Sequence, residues 1–264
     1  MTRQTDDTAG TPGAGPDHRP AHRSDRRSDR RAGGSGRTRG QTTKADDIYR
    51  WGPVWSRRVG YALAYGYWRA KVLGADNVPQ TGPGIVASNH VGIVDGPLLH
   101  GVIPRSSHII IKQEFWDSPL GFLMTLAGQI PVDRKAGRNA LQTAKQFLSE
   151  GRLVGIFPEG SRGKGDVGQV HAGVAWLAVQ TGAPVIPAAI LGTRTSGQPT
   201  GHVTRPFARP VVAFGEPLEI SVPAGASGRT AITTAMEQIT DALTNHVSET
   251  VARTGISLPD ETDD

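Results

Sequence analysis

The 264-residue chain contains no cysteine, which excludes disulfides, thiolate nucleophiles, cysteine-ligated zinc and iron–sulfur clusters. No charged-then-apolar leader is recognisable, because the first 44 residues hold no apolar run. The longest stretch without charge, residues 172–193, is long enough by count to cross a bilayer, but Gln180-Thr181-Gly182-Ala183-Pro184 breaks it into a helix and a strand. No transmembrane span is expected. The Gly-x-Ser-x-Gly elbow of serine hydrolases is missing, and so is the phosphate-binding P-loop, since no Ser or Thr follows Lys164. The eight histidines, including His90, His108 and His171 in or beside loops of interest, show no ligand-like pairing, so no metal or other cofactor is expected.

Charge and aromatic residues are unevenly spread. Residues 1–44 carry ten Lys and Arg against five Asp, while residues 45–264 balance to zero. The segment 1–44 is rich in Gly, Pro, Ser, Thr and Arg and cannot bury enough apolar surface to offset the entropy of ordering, so it reads as a disordered Arg-rich tail. Such a tail can bind nucleic acid or acidic head groups, although a solvated extension is an equally good reading. Aromatics are scarce, yet seven of the fifteen (Tyr49, Trp51, Trp55, Tyr61, Tyr65, Tyr67, Trp68) fall within twenty residues, flanked by Arg50, Arg57, Arg58, Arg69 and Lys71. Residues 45–75 are read as an amphipathic helical segment that either lies in a membrane interface or packs its aromatics on the core.

Residues 76–256 alternate strand and helix, with a long closing helix at about 229–253 and an acidic tail at 257–264. The pattern predicts an α/β domain with a mostly parallel or mixed central sheet flanked by helices. In such sheets functional loops gather at one end of the strands.

Four segments carry chemistry. Gly84-Ile85-Val86-Ala87 reads as a buried strand that leads into Ser88-Asn89-His90-Val91-Gly92-Ile93-Val94-Asp95, and a helix begins at Asp95. If the loop curls back, the Asp95 carboxylate reaches the His90 imidazole and fixes one tautomer, leaving the other nitrogen to take a proton. The alternative is a helix cap beside a solvated histidine. The second segment, Pro131-Val132-Asp133-Arg134, ends an apolar run in a cation that can receive phosphate or pair with an acid. The third, Phe157-Pro158-Glu159-Gly160-Ser161-Arg162-Gly163, joins a carboxylate, a hydroxyl and a guanidinium to glycines that admit close backbone approach. The fourth, Val185-Ile186-Pro187, is apolar and reads as core or as a wall beside the site.

In this order and spacing, over roughly residues 80–215, the four segments resemble the glycerolipid acyltransferase superfamily, in particular the 1-acyl-sn-glycerol-3-phosphate acyltransferases. The resemblance implies an O-acyltransferase with His90 as general base and Asp95 as its orienter. It further implies an acceptor placed by Asn89, Glu159, Gly160 and Ser161, with Arg134 and Arg162 on its phosphate. The acyl group would arrive on coenzyme A or acyl carrier protein and pass directly to the hydroxyl of a lysophospholipid at the membrane surface. Placement would be peripheral, on the cytoplasmic face, with no specific nucleic acid partner. Transfer to another polar-lipid hydroxyl and a thioesterase-like hydrolysis by the same pair are the alternatives. Two departures from the family pattern stand out: Gly92 occupies a place often held by Ser, and Gln169-Val170-His171-Ala172-Gly173 lacks a basic residue.

Overall fold

The computed structural model describes residues 44–119, 121–133, 137–160, 162–167 and 170–260. The expectations for the Arg-rich tail, for Arg134 and Ser161, and for the last four residues lie outside these.

Short apolar runs form a seven-stranded sheet: β1 (Lys71–Leu73), β2 (Gly84–Ser88), β3 (Ser107–Lys112), β4 (Ile130–Val132), β5 (Leu153–Ile156), β6 (Val185–Leu191) and β7 (Val211–Phe214). Their spatial order is β1-β7-β6-β2-β5-β3-β4. Strands β2 to β6 run parallel, β7 lies antiparallel to β6, and β1 is parallel to β7, so the sheet is mixed. The central strand β2 is wholly buried. Its alternation feeds two cores, since Ile85 and Ala87 join one apolar cluster and Val86 the other.

Helices cover both faces. On one side α4 (Gly137–Ser149), α5 (Ala172–Thr181) and α6 (Gly228–Thr254) bury Phe147, Leu177 and Ile239. On the other, α1 (Gly52–Tyr61), one wide π-helical turn (Ala62–Tyr67) and α2 (Asp95–Val102) bury Ala64, Trp68, Leu98 and Leu99. A short helix, α3 (Gly121–Leu126), leads into β4. Helix α6 is capped by Ser227, whose hydroxyl accepts from the Thr230 N–H, and stops at Gly255 with φ of 69°.

Two boundaries differ from the sequence reading. The stretch 45–75, read as helical, contains β1, and three main-chain bonds from Phe207, Arg209 and Lys71 join it to the chain before β7. At the other end the domain continues past 256: Leu258 packs against the core, and Asp260 N–H donates to Ser196 Oγ at 3.1 Å.

The aromatic segment meets the domain chiefly through its small residues. Helix α1 buries its small residues, Gly52, Pro53, Ser56 and Gly60, and α2 supplies Gly101 opposite Gly60. A Cβ on Gly60 would come within 2.8 Å of the Gly101 Cα, so only glycine allows this approach. With the small side inward, Trp51, Val54, Val59, Tyr61, Tyr65 and Tyr67 point to solvent. Two tryptophans turn inward: Trp55 is half-buried with its indole N–H donating to Leu126 O at 3.1 Å, and Trp68 is buried with its indole N–H donating to Thr204 O at 3.2 Å. Among the described residues no helix is long and apolar enough to cross a membrane.

Candidate active site

The parallel strands deliver their loops to one end of the sheet, where β2, β5 and β6 lie side by side. His90 leaves β2 on a loop that turns back at Asp95, the first residue of α2. The imidazole Nδ1 and Asp95 Oδ2 are 2.8 Å apart, and the same oxygen accepts the Val91 and Gly92 N–H groups at 2.7 and 2.8 Å. The other oxygen, Oδ1, accepts the Thr193 hydroxyl at 2.6 Å. Asp95 is fully buried and surrounded by donors, so the proton of the His90–Asp95 contact belongs on Nδ1. Nε2 is then the bare nitrogen and makes no hydrogen bond among the described residues. The His90 side chain keeps 16% exposure, so the site is reachable from solvent. Its ring stacks on Phe157, centroid to centroid 4.1 Å.

The Phe157–Gly163 loop after β5 is stitched to the His90 loop. His90 N–H donates to Glu159 Oε1 at 3.1 Å, and Gly163 N–H donates to His90 O at 3.0 Å. Burial pushes the Glu159 carboxyl up to about 7; the hydrogen bond from His90 opposes this, and the Asp166 and Asp95 carboxylates add to it. Gly160 has φ of 67°, and a Cβ there would meet His171 Nε2 at 2.7 Å, so the turn requires glycine. Arg162 sits half-buried at the rim, 5.8 Å from the Phe115 ring centroid and 3.4 Å from Thr200 O.

Asn89 reaches the main chain of β6 instead of open space. Its amide donates to Ile190 O at 3.0 Å and accepts from Ile190 N–H at 2.7 Å, which ties the end of β2 to β6. Strand β6 itself is wholly buried and serves as core. His108 is buried at the opposite end of the sheet, 2.6 Å from Gly128 O, and His171 precedes α5.

Two residues escaped the sequence reading. Thr193 holds Asp95 Oδ1, and Arg194, 1% exposed, donates to Val91 O, Gln198 O and Gly163 O at 2.7, 2.9 and 2.7 Å. Arg194 thereby joins both site loops to the chain after β6. The available signal was position: a Thr-Arg pair lies just past an apolar strand of the same sheet in which β2 and β5 end in the other chemical loops. Gly92 leaves ordinary contact space, with a hypothetical Cβ 3.7 Å from Thr193 Oγ1 and 3.8 Å from Asp95 Oδ1.

This arrangement, an imidazole held in one tautomer with a buried carboxyl beside it and a cation at the rim, is chemically able to accept a proton from a bound hydroxyl. Residues 69–191 match the family model described as Acyltransferase. The chain is similar to the 1-acyl-sn-glycerol-3-phosphate acyltransferase of Bacillus subtilis, 34% identical over 125 residues, or 46% of this chain and 62% of that protein. A protein of the same name from Pseudomonas aeruginosa is 32% identical over 141 residues, 52% of each chain. The chain spans about half the length of the curated relatives it matches. The crystal structure of a 1-acyl-sn-glycerophosphate acyltransferase from Thermotoga maritima has the same fold, with a TM-score of 0.58, 24% identity, and coverage of 76% of this chain and 80% of that one. Over residues 69–191 the chain therefore matches an acyltransferase domain, and it is similar there to the 1-acyl-sn-glycerol-3-phosphate acyltransferases of the glycerolipid acyltransferase superfamily.

Proposed function

We propose that the protein moves a fatty acyl group from a thioester, on coenzyme A or acyl carrier protein, to the free hydroxyl of 1-acylglycerol-3-phosphate, giving phosphatidic acid. The observation that carries the reading is the 2.8 Å contact between His90 Nδ1 and Asp95, which leaves Nε2 bare at a loop junction. Nε2 takes the acceptor hydroxyl proton as the oxygen attacks the thioester carbonyl. Asp95 stabilises the imidazolium, and the tetrahedral intermediate collapses as the thiolate leaves with that proton. No acyl-enzyme is needed, and none can form on cysteine. Arg162, together with Arg134, binds the acceptor phosphate, and Glu159 places the acceptor against the imidazole. The names of the similar proteins support this acceptor.

A lipid acceptor asks for an enzyme at the membrane surface. The outward aromatic face of α1 and the π-helical turn, with Arg58 and Arg69 exposed beside it, supports peripheral attachment there, on the cytoplasmic side.

His90→Ala should lower acyl transfer from labelled acyl-CoA to lysophosphatidic acid by about 10²–10⁴-fold. Undiminished turnover would overturn the base assignment. Free fatty acid released from acyl-CoA at one rate with and without acceptor would instead make the enzyme a hydrolase.

A further inference from the structure

The chain between β6 and β7 starts in the site and ends on the aromatic segment. Thr193 and Arg194 hold Asp95 and the site loops, and Thr200 O accepts the Ile93 N–H at 3.1 Å. Beyond Thr204, whose hydroxyl donates to Thr193 O, the chain meets the end of the π-helical turn. Phe207 N–H donates to Tyr67 O at 2.8 Å and Arg209 N–H to Trp68 O at 2.9 Å.

Apart from the buried Thr204, the side chains of residues 203–209 face outward. Val203 is 64% and Phe207 55% exposed, and Arg205 and Arg209 stand between and beyond them in solvent. The Arg69 guanidinium lies 4.3 Å from the Phe207 ring centroid. Among the described residues no carboxylate pairs with Arg69, Arg205 or Arg209. Arg69, Phe207 and Arg209 have φ of 54°, 59° and 58°, a left-handed conformation that costs non-glycine residues free energy. The backbone is thus held in a strained form that leaves two apolar side chains wet and three cations with no acidic partner among the described residues.

We infer that residues 203–209 form a second contact with an anionic lipid surface, continuous with the aromatic segment and connected by one chain to the catalytic pair. The inference rests on the membrane-associated reading of the enzyme. Charge selects the partner: arginines are drawn to anionic head groups, and Val203 and Phe207 enter the boundary below them. Contact at this loop presents the mouth of the site, bounded by Thr200 and Arg162, to the layer in which a lipid acceptor resides.

Because the chain lacks cysteine, a single introduced one reports position without background. A full-length Val203→Cys protein carrying an environment-sensitive fluorophore is mixed with vesicles of phosphatidylcholine, with and without phosphatidylglycerol. Emission should rise severalfold with the anionic vesicles and be quenched by a lipid-borne nitroxide. The same label at Glu237→Cys, exposed on α6 across the sheet, should not respond. Adding Arg205→Gln and Arg209→Gln should raise the anionic lipid needed for the response at 203 by about tenfold or more, with an unchanged melting temperature. If the label at 203 stays aqueous while one at Tyr61→Cys enters the bilayer, the loop contact is wrong and the aromatic attachment stands. If neither enters, the membrane reading itself fails, and the loop contact with it.

Discussion

At the scale of single residues, the site depends on how completely Asp95 is satisfied. Three donors hold Oδ2, but Oδ1 relies on the Thr193 hydroxyl at 2.6 Å. Removing that donor from a buried carboxylate costs about 1–3 kcal/mol, which frees the imidazole to leave its aligned position. Thr193→Val should therefore lower kcat roughly 10–100-fold with little change in KM. A serine at position 92 would place its Cβ 3.8 Å from the same oxygen, close enough for its hydroxyl to serve as donor. Gly92→Ser should thus recover part of the lost rate in the Thr193→Val background. A double variant as slow as the single would show that the serine hydroxyl does not reach. Glu159 makes a separate prediction. Its carboxyl, raised to about 7 by burial, binds a proton in the folded state that the unfolded chain has already lost above the ordinary value of 4.5. Its contribution to stability therefore falls as pH rises from 4.5 to about 7. Glu159→Gln should raise stability above pH 7, by roughly a kcal/mol or more, and change little near pH 4.5, as read by chemical denaturation.

At the scale of elements, the contact of α1 with α2 is the one that places the aromatic face outward. Gly101→Ala puts a Cβ within 2.2 Å of the Gly60 carbonyl carbon, so the helices must separate. The expected cost is about 1–3 kcal/mol, measured as a lower denaturation midpoint with an unchanged slope. A variant of wild-type stability would mean that the helices do not meet as closely as described. The sequence could not reveal this packing, because its amphipathic pattern reads equally well with the aromatics inside. Glycines and a serine carry no hydrophobic signal, yet they form the buried face. Strand β1 was missed for a related reason. Lys71-Val72-Leu73 is three residues long at the edge of the sheet and is defined by its partner β7, not by periodicity. By contrast, β2 and β6 were legible because strands buried on both faces read as continuous apolar runs. His90 and Asp95 were legible because the contact spans five residues, whereas Thr193 lies 98 positions from Asp95 and becomes visible only when β6 is laid beside β2.

At the scale of the whole molecule, acid stability is set by two buried histidines at the end of the sheet opposite the site. His100 lies 2.8 Å from Ser56 Oγ, and burial, with smaller contributions from His108 and Arg57, lowers its pKa to about 4. His108 lies against Phe147 with the rings tilted by 37° and is likewise lowered to about 4, chiefly by burial. Both stay neutral in the fold while the unfolded chain takes up protons near 6.5, so stability is lost as pH falls from 6.5 toward 4. Glu159 acts in the other sense over 4.5 to 7, which leaves a net difference of about one proton, or roughly 1.4 kcal/mol per pH unit. Below 4.5 that opposition ends, and Glu150, lowered to about 2 chiefly by its hydrogen bond from Arg50, begins to add its own loss. Stability should therefore decline gently from pH 6.5 to 4.5, more steeply from 4.5 to about 4, and gently again below 4, where both histidines are protonated in either state and Glu150 alone continues the loss. His108→Asn keeps a donor for Gly128 O but removes one titration, so the remaining histidine and Glu159 should cancel. Denaturation midpoints of that variant should be nearly flat between pH 4.5 and 6.5, and a slope equal to the wild type's would show that His108 does not enter the fold as the neutral base.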